Sequence, residues 1–217
     1  MKPIIFCEIA SMYYYRGIQK DDTPYGGGSY VTETGDAHEE YNFCPVYNKE
    51  DDKEYCLGFV MPNGKYGLDV NFHLERINGC EALKNEEKVE DVIVVFCARS
   101  MGSHTTRVVG FYKNATVYRS IQETVFTGED GSEDYQCYSF VAEAKDCVLL
   151  PFHTRHSESR WYVPHKGENG LDYGFGRNHI YYADKAKENP KLNLFVENMI
   201  ENIEEYDGEN WMYKEVF

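Results

Sequence analysis

From residue 92 to residue 122 the sequence contains no aspartate or glutamate, although the 217-residue chain carries 37 acidic against 22 basic side chains. The stretch opens with VIVVFCA at 92–98, a continuous apolar run of strand length rich in β-branched residues. Such a run reads as a strand covered on both faces. RVVGFYKNATVYR at 107–119 follows and reads as two short strands divided at Lys113 and Asn114, a polar pair of turn type. A chain built around these segments must place them in a sheet and cover it. Its composition is adequate for that, with 42% hydrophobic and 15% aromatic residues, and a single domain over 1–217 is expected.

The remaining segments fit the same architecture. PIIFCEIA reads as a first strand, and Tyr13, Tyr14, Tyr15 and Arg16 lead into a polar loop holding Gly26, Gly27 and Gly28. No Gly-Lys-Ser/Thr follows these glycines, so they make no phosphate loop and read as a mobile segment. YNFCPVY and YCLGFVM are strand-like, and Asn63-Gly64 predicts a hairpin over 55–73 because both turn positions need positive φ. Residues 81–90 read as a short charged helix or loop, YQCYSFVAEA as a strand, CVLLP as a strand with a proline stop, and HIYYAD as a final strand. Asn189 then offers a cap and Pro190 a first helical position. Leu192, Phe195, Val196, Met199, Ile200 and Ile203 step by three and four, predicting an amphipathic helix of about four turns. The expected fold class is α+β and mainly β: a bent mixed sheet or small barrel with a C-terminal amphipathic helix.

Charge and cysteine usage restrict the function classes. Seven cysteines, an odd number with no two at Cys-x-x-Cys spacing, suggest neither a disulfide framework nor a zinc ribbon. No run of about 18 apolar residues exists to span a bilayer, and Glu8 interrupts the first apolar stretch before a signal-type segment is complete. A cytoplasmic protein without membrane partners is therefore expected. A net charge of −15 opposes indiscriminate coating of nucleic acid. The acids, however, are concentrated at 1–91, 123–146 and 184–217, while 92–122 holds only Arg99, Arg107, Lys113 and Arg119, and 147–183 is close to neutral. Brought together, the two non-acidic segments would form one neutral-to-basic face.

Four constellations could carry chemistry. Phe111, Tyr112, Trp161, Tyr181 and Tyr182, with Asn114, Asn178 and His179 beside them, have the makings of an aromatic cage with polar edges, as a flipped base requires. Arg99, Arg107, Lys113, Arg119 and Arg177 are the matching phosphate contacts. Asp134, Glu143 and Lys145 have the look of a Mg²⁺-dependent nuclease core, although Asp146 beside them also suits an ordinary polar turn. Cys147, His153, His156 and His165 include zinc-ligand types, but His-x-x-His is not the i, i+4 spacing of a helical zinc site, and surface histidines explain it more simply. No Gly-x-Ser-x-Gly elbow supports a serine hydrolase. No metal or cofactor is expected from these patterns.

Several spaced blocks resemble domains of bacterial modification-dependent restriction and defence proteins, related in kind to the EVE, YTH and PUA group of modified-base readers. The blocks are the VIVVF strand, VVGFYKNATVYR, CVLLP, Val163-Pro164 with glycines after it, and YYAD before a helix, spanning about 92–205. Family members tend to have Trp where Phe111 and Tyr181 stand, and Asn where His179 stands. The resemblance implies an EVE-like or PUA-like barrel that flips one nucleotide, of DNA with a modified base, into an aromatic cage. Such readers do no chemistry themselves and work with a nuclease or motor partner. The leading expectation is thus a binding module rather than an enzyme. A Mg²⁺-dependent nuclease and a protein- or small-ligand-interaction module are the alternatives.

Overall fold

The computed structural model describes residues 1–26, 38–61, 71–100, 105–127 and 131–215. Nine strands form one sheet: β1 (Ile4–Glu8), β2 (Val46–Asn48), β3 (Lys53–Gly58), β4 (Lys88–Arg99), β5 (Thr106–Thr127), β6 (Glu133–Glu143), β7 (Cys147–Leu149), β8 (Tyr162–Val163) and β9 (Ile180–Tyr181). Their order is β2-β3-β6-β5-β4-β1-β9, with β7 and β8 pairing additionally to β5. Among the strands of the described residues only β1 and β4 pair in parallel; the other strand pairings are antiparallel. The sheet is therefore mixed, and its path is not closed into a barrel. Two helices follow, α1 (Phe152–Ser157) and α2 (Pro190–Glu204).

Alternation along the strands explains the apolar run at 92–98. Ile93, Val95 and Cys97 point with Ile4 and Phe6 into a core closed by Leu192, Val196, Met199 and Ile203 of α2. Val92, Val94 and Phe96 point with Ile5 and Cys7 into a second core, where Phe43, Phe72, Cys56 and Phe140 cover them. Cys56 and Phe140 belong to β3 and β6, so the sheet itself bends over this second core. Helix α2 begins as its sequence dictates. The Asn189 side chain accepts from the N–H groups of Lys191 and Leu192 at 3.1 and 3.2 Å, and Pro190 sits in the first turn.

β5 is the longest element, at 22 residues, and corrects one expectation. Lys113 and Asn114 do not divide two strands: Asn114, at φ 52°, makes a bulge, and the pairing with β4 shifts register between Val92 and Val94. Asn suits either role because it tolerates positive φ. The strand continues to Thr127, pairing with β6 in an arm that exposes Val125, Phe126 and Tyr135. The other expected elements fare unevenly. Residues 81–90 form no helix, and β4 already begins at Lys88. His38–Tyr41 is a short 3-10 turn, and of YNFCPVY only Val46 and Tyr47 are strand, at the start of β2. The 55–73 hairpin and the Gly26–Gly28 loop depend on residues 62–70 and 27–28, outside the described residues. Among the described residues no helix is long and apolar enough to cross a membrane.

β5 is also held on its other edge, where β8, β7 and β6 pair with it in succession. Gly110 makes this close approach possible. A Cβ there would lie 2.4 Å from Phe43 Cζ and 2.5 Å from the Val148 carbonyl oxygen of β7. The backbone oxygen cannot retreat without breaking the ladder. Gly110→Ala is thus expected to destabilise the protein by roughly 1–3 kcal/mol in urea unfolding; unchanged stability would show that β7 does not pack as described.

Candidate functional site

The aromatic residues do not line one pocket. Phe111 and Tyr112 are neighbours on β5, so their rings project to opposite faces of the sheet, and both are 0% exposed. Phe111 stacks on Trp161, also 0% exposed, with ring centroids 6.2 Å apart, in the α2-covered core. Tyr112 lies in the other core, 4.8 Å from Phe96, and its hydroxyl donates to the Asn42 carbonyl. The same parity separates Tyr181, packed near Phe6 and Phe175, from Tyr182. The Tyr182 hydroxyl accepts from the His73 N–H at 2.9 Å, and Arg76 lies over its ring at 4.7 Å. The expected cage is corrected: the sheet stands between its members.

The polar edge residues are dispersed as well. Asn114 is exposed at its bulge and donates to Asp146 at 3.3 Å. Asn178 accepts from the Ile180 N–H at 3.2 Å, and His179 presents its carbonyl to the Glu8 N–H at 2.7 Å. Since the rings fill the cores, Trp161→Ala is expected to cost about 3–5 kcal/mol in denaturant unfolding. A cost under about 1 kcal/mol would contradict this core role.

The proposed nuclease acids are not brought together either. Asp134 and Glu143 lie on one strand, nine residues apart, which is roughly 30 Å at ~3.3 Å per residue. Glu143 instead accepts from Lys145 at 2.5 Å and Lys53 at 2.6 Å, and these two lysines hold its carboxyl below the usual range. Cys147 is buried on β7, His153 and His156 are on α1, and His165 lies 2.8 Å from the Thr106 hydroxyl and 3.4 Å from Glu8. Among the described residues no group of three or more His, Cys, Asp or Glu could hold a metal ion.

The five predicted phosphate contacts divide. Arg119 is locked by the carbonyls of Glu86, Phe72 and Leu83 and by Glu75 at 3.1 Å, so it braces the sheet. Lys113 is half-buried beside the bulge, and Arg177 is exposed in the approach to β9. Arg99 and Arg107 come to the same end of the sheet, with their side chains on opposite faces of the ladder. The register that pairs Ala98 with Arg107 and Arg99 with Thr106 puts them at the same end of the β4–β5 ladder. β8 and the start of β9 reach that end too, so Thr106 and Arg107 meet Tyr162 and Val163 there, and Ile180 lies close by on β1, without a shared cage.

Arg99 and Arg107 line a small cavity together with Ser11, Ser100, Arg155 and His156. Its volume is about 10 Å³, room for one water-sized atom and far too little for a base. Arg155 of α1 is only 2% exposed and donates to the carbonyls of Leu150, Met12 and Tyr13 at 2.7–2.8 Å. No carboxylate pairs with it among the described residues. The nearby Asp22 accepts from the N–H groups of Tyr13 and Tyr14 at 2.6 and 2.8 Å. Burial lowers the Arg155 pKa to about 10, which leaves it charged at neutral pH. Arg107 donates to the Glu158 carbonyl at 3.0 Å, while its buried Nε and the hydroxyl of Ser100 have no partner among the described residues. His156 packs edge-on to Phe152, and burial, Arg155 and Arg107 all lower its pKa. Arg99 has a loose counter-charge, Glu8, at 3.9 Å.

Sequence reasoning identified Arg99 and Arg107 but missed Arg155 and Ser100. The available signal was an arginine between two histidines, directly after the CVLLP strand stop, in the segment of near-neutral charge. No protein-family model, curated protein or solved structure matches the chain.

Proposed function

We propose that the protein is a nucleic-acid-binding module that takes the sugar–phosphate backbone at the Arg99–Arg107 end of its sheet. The observation that carries this reading is local: in a chain of net charge −15, the acid-free 92–122 stretch and the 147–183 segment deliver Arg99, Arg107, Arg155 and His156 to one cavity. An acidic body around a basic cleft suppresses indiscriminate binding and leaves affinity to local contacts. Recognition of DNA with a modified base, in a restriction or defence setting with a nuclease or motor partner, rests on the resemblance of the 92–205 blocks. The ring faces for it would have to come from residues other than Phe111, Tyr112, Trp161, Tyr181 and Tyr182.

The test is binding of single-stranded and duplex oligonucleotides, with and without base methylation, over a range of salt concentrations. Affinity should fall steeply with salt. The Arg99→Gln/Arg107→Gln double variant should weaken every sequence alike and flatten the salt slope by about 1–2. Absence of binding at low salt, or binding indifferent to both arginines, would refute the proposal.

A further inference from the structure

We infer that the cavity between β4, β5 and α1 receives one oxygen of a phosphate group, with Arg155 as the buried counter-charge and Ser100 Oγ and Arg107 Nε as donors. The assignment of its source to a nucleic acid rests on the function proposed above; the pocket itself rests on three independent observations. The first is a buried cation that makes no direct ion pair among the described residues. Arg155 is 2% exposed, and its three hydrogen-bond acceptors are neutral carbonyls. Carbonyl dipoles take three of its five N–H groups, and the buried carboxylate of Asp22, which acts on it from beyond ion-pair distance, is itself held by the N–H groups of Tyr13 and Tyr14.

The second observation is a pair of unused donors in the same wall. Ser100 is 6% exposed, and neither its hydroxyl nor the buried Arg107 Nε has a hydrogen-bond partner among the described residues. Buried polar groups without partners are rare in folded proteins and mark places where something binds. The third is size and sign. About 10 Å³ admits a single oxygen, and beside the apolar Ala98, Val109 and Phe152 the lining residues are arginines, serines and a histidine, with no acidic residue among them. A water would meet the two donors and leave Arg155 unneutralised; a phosphate oxygen meets all three, with its remaining oxygens in the mouth near Arg99 and His156.

Inorganic phosphate is the first probe, titrated at low ionic strength by calorimetry against the wild type and against Ser100→Ala and Arg107→Gln. Thermal unfolding confirms that each variant is folded, and Lys191→Gln on exposed α2 serves as the control. Each pocket variant should lose about tenfold or more in phosphate affinity, and the control none. Phosphate binding that is absent, or that both pocket variants leave intact, would overturn the pocket. The second probe is one oligonucleotide with a 5′-phosphate or a 5′-hydroxyl. Equal losses for both forms in the pocket variants place an internal backbone phosphate there, and a loss for the phosphorylated form alone places a terminal one. Oligonucleotide binding untouched by either variant would overturn the pocket while leaving the nucleic-acid reading in place. Phosphate binding that the variants abolish, without any oligonucleotide binding, would keep the pocket and remove that reading.

Discussion

The structure depends on a single strand being hydrogen-bonded along both edges. Between Thr106 and Tyr118 β5 pairs with β4 on one side and, over parts of that length, with β8, β7 and β6 in turn on the other, so its side chains there have only the two faces of the sheet to occupy. Each face is roofed, one by α2 and the other by the sheet's own bend, so alternate residues enter different cores. Phe111 and Tyr112 are separated by that rule, as are Val108 and Val109. The bulge at Asn114 bends the ladder without breaking it, and Gly110 keeps room for β7 and Phe43.

Where the ladder ends, the same constraint produces the candidate site. At this end Arg107, Arg99 and Ser100 line a small cavity together with residues of the short helix α1. Arg155 reaches back under Met12 and Tyr13, tying the segment after β1 to the end of β7 through three carbonyls. The protein thereby holds a full positive charge in a dry position. A desolvated charge costs stability unless a counter-charge is close, and the proposed anion would supply one. The overall charge of −15 and this local cation coexist because fields are screened beyond about 10 Å in salt, whereas contacts in a cavity are not.

What could be read in advance followed from strong periodicity. The apolar run at 92–98, the CVLLP strand and the Asn189-Pro190 cap with its three-and-four spacing each carry a local signal, and each lies where expected. The misreadings have physical causes. Asn at positive φ serves a turn and a bulge alike, so Lys113-Asn114 cannot distinguish two strands from one. The aromatic cage fails because proximity in sequence is opposition in space on a strand: adjacent rings face apart, and only the presence of cover on both sides decides that neither reaches solvent. Arg155 was missed because α1 spans only six residues, too few for a period to emerge.

The central claim is that this molecule meets its ligand at the end of the β4–β5 ladder and leaves its aromatic rings in the core. The most direct measurement is an NMR titration with an oligonucleotide, following the indole N–H of Trp161 and the guanidinium Nε–H groups of Arg107 and Arg155. The account predicts that the two arginine signals shift saturably while Trp161 stays in place. A shifted or newly solvent-exchanging Trp161, with both arginines unmoved, would contradict it.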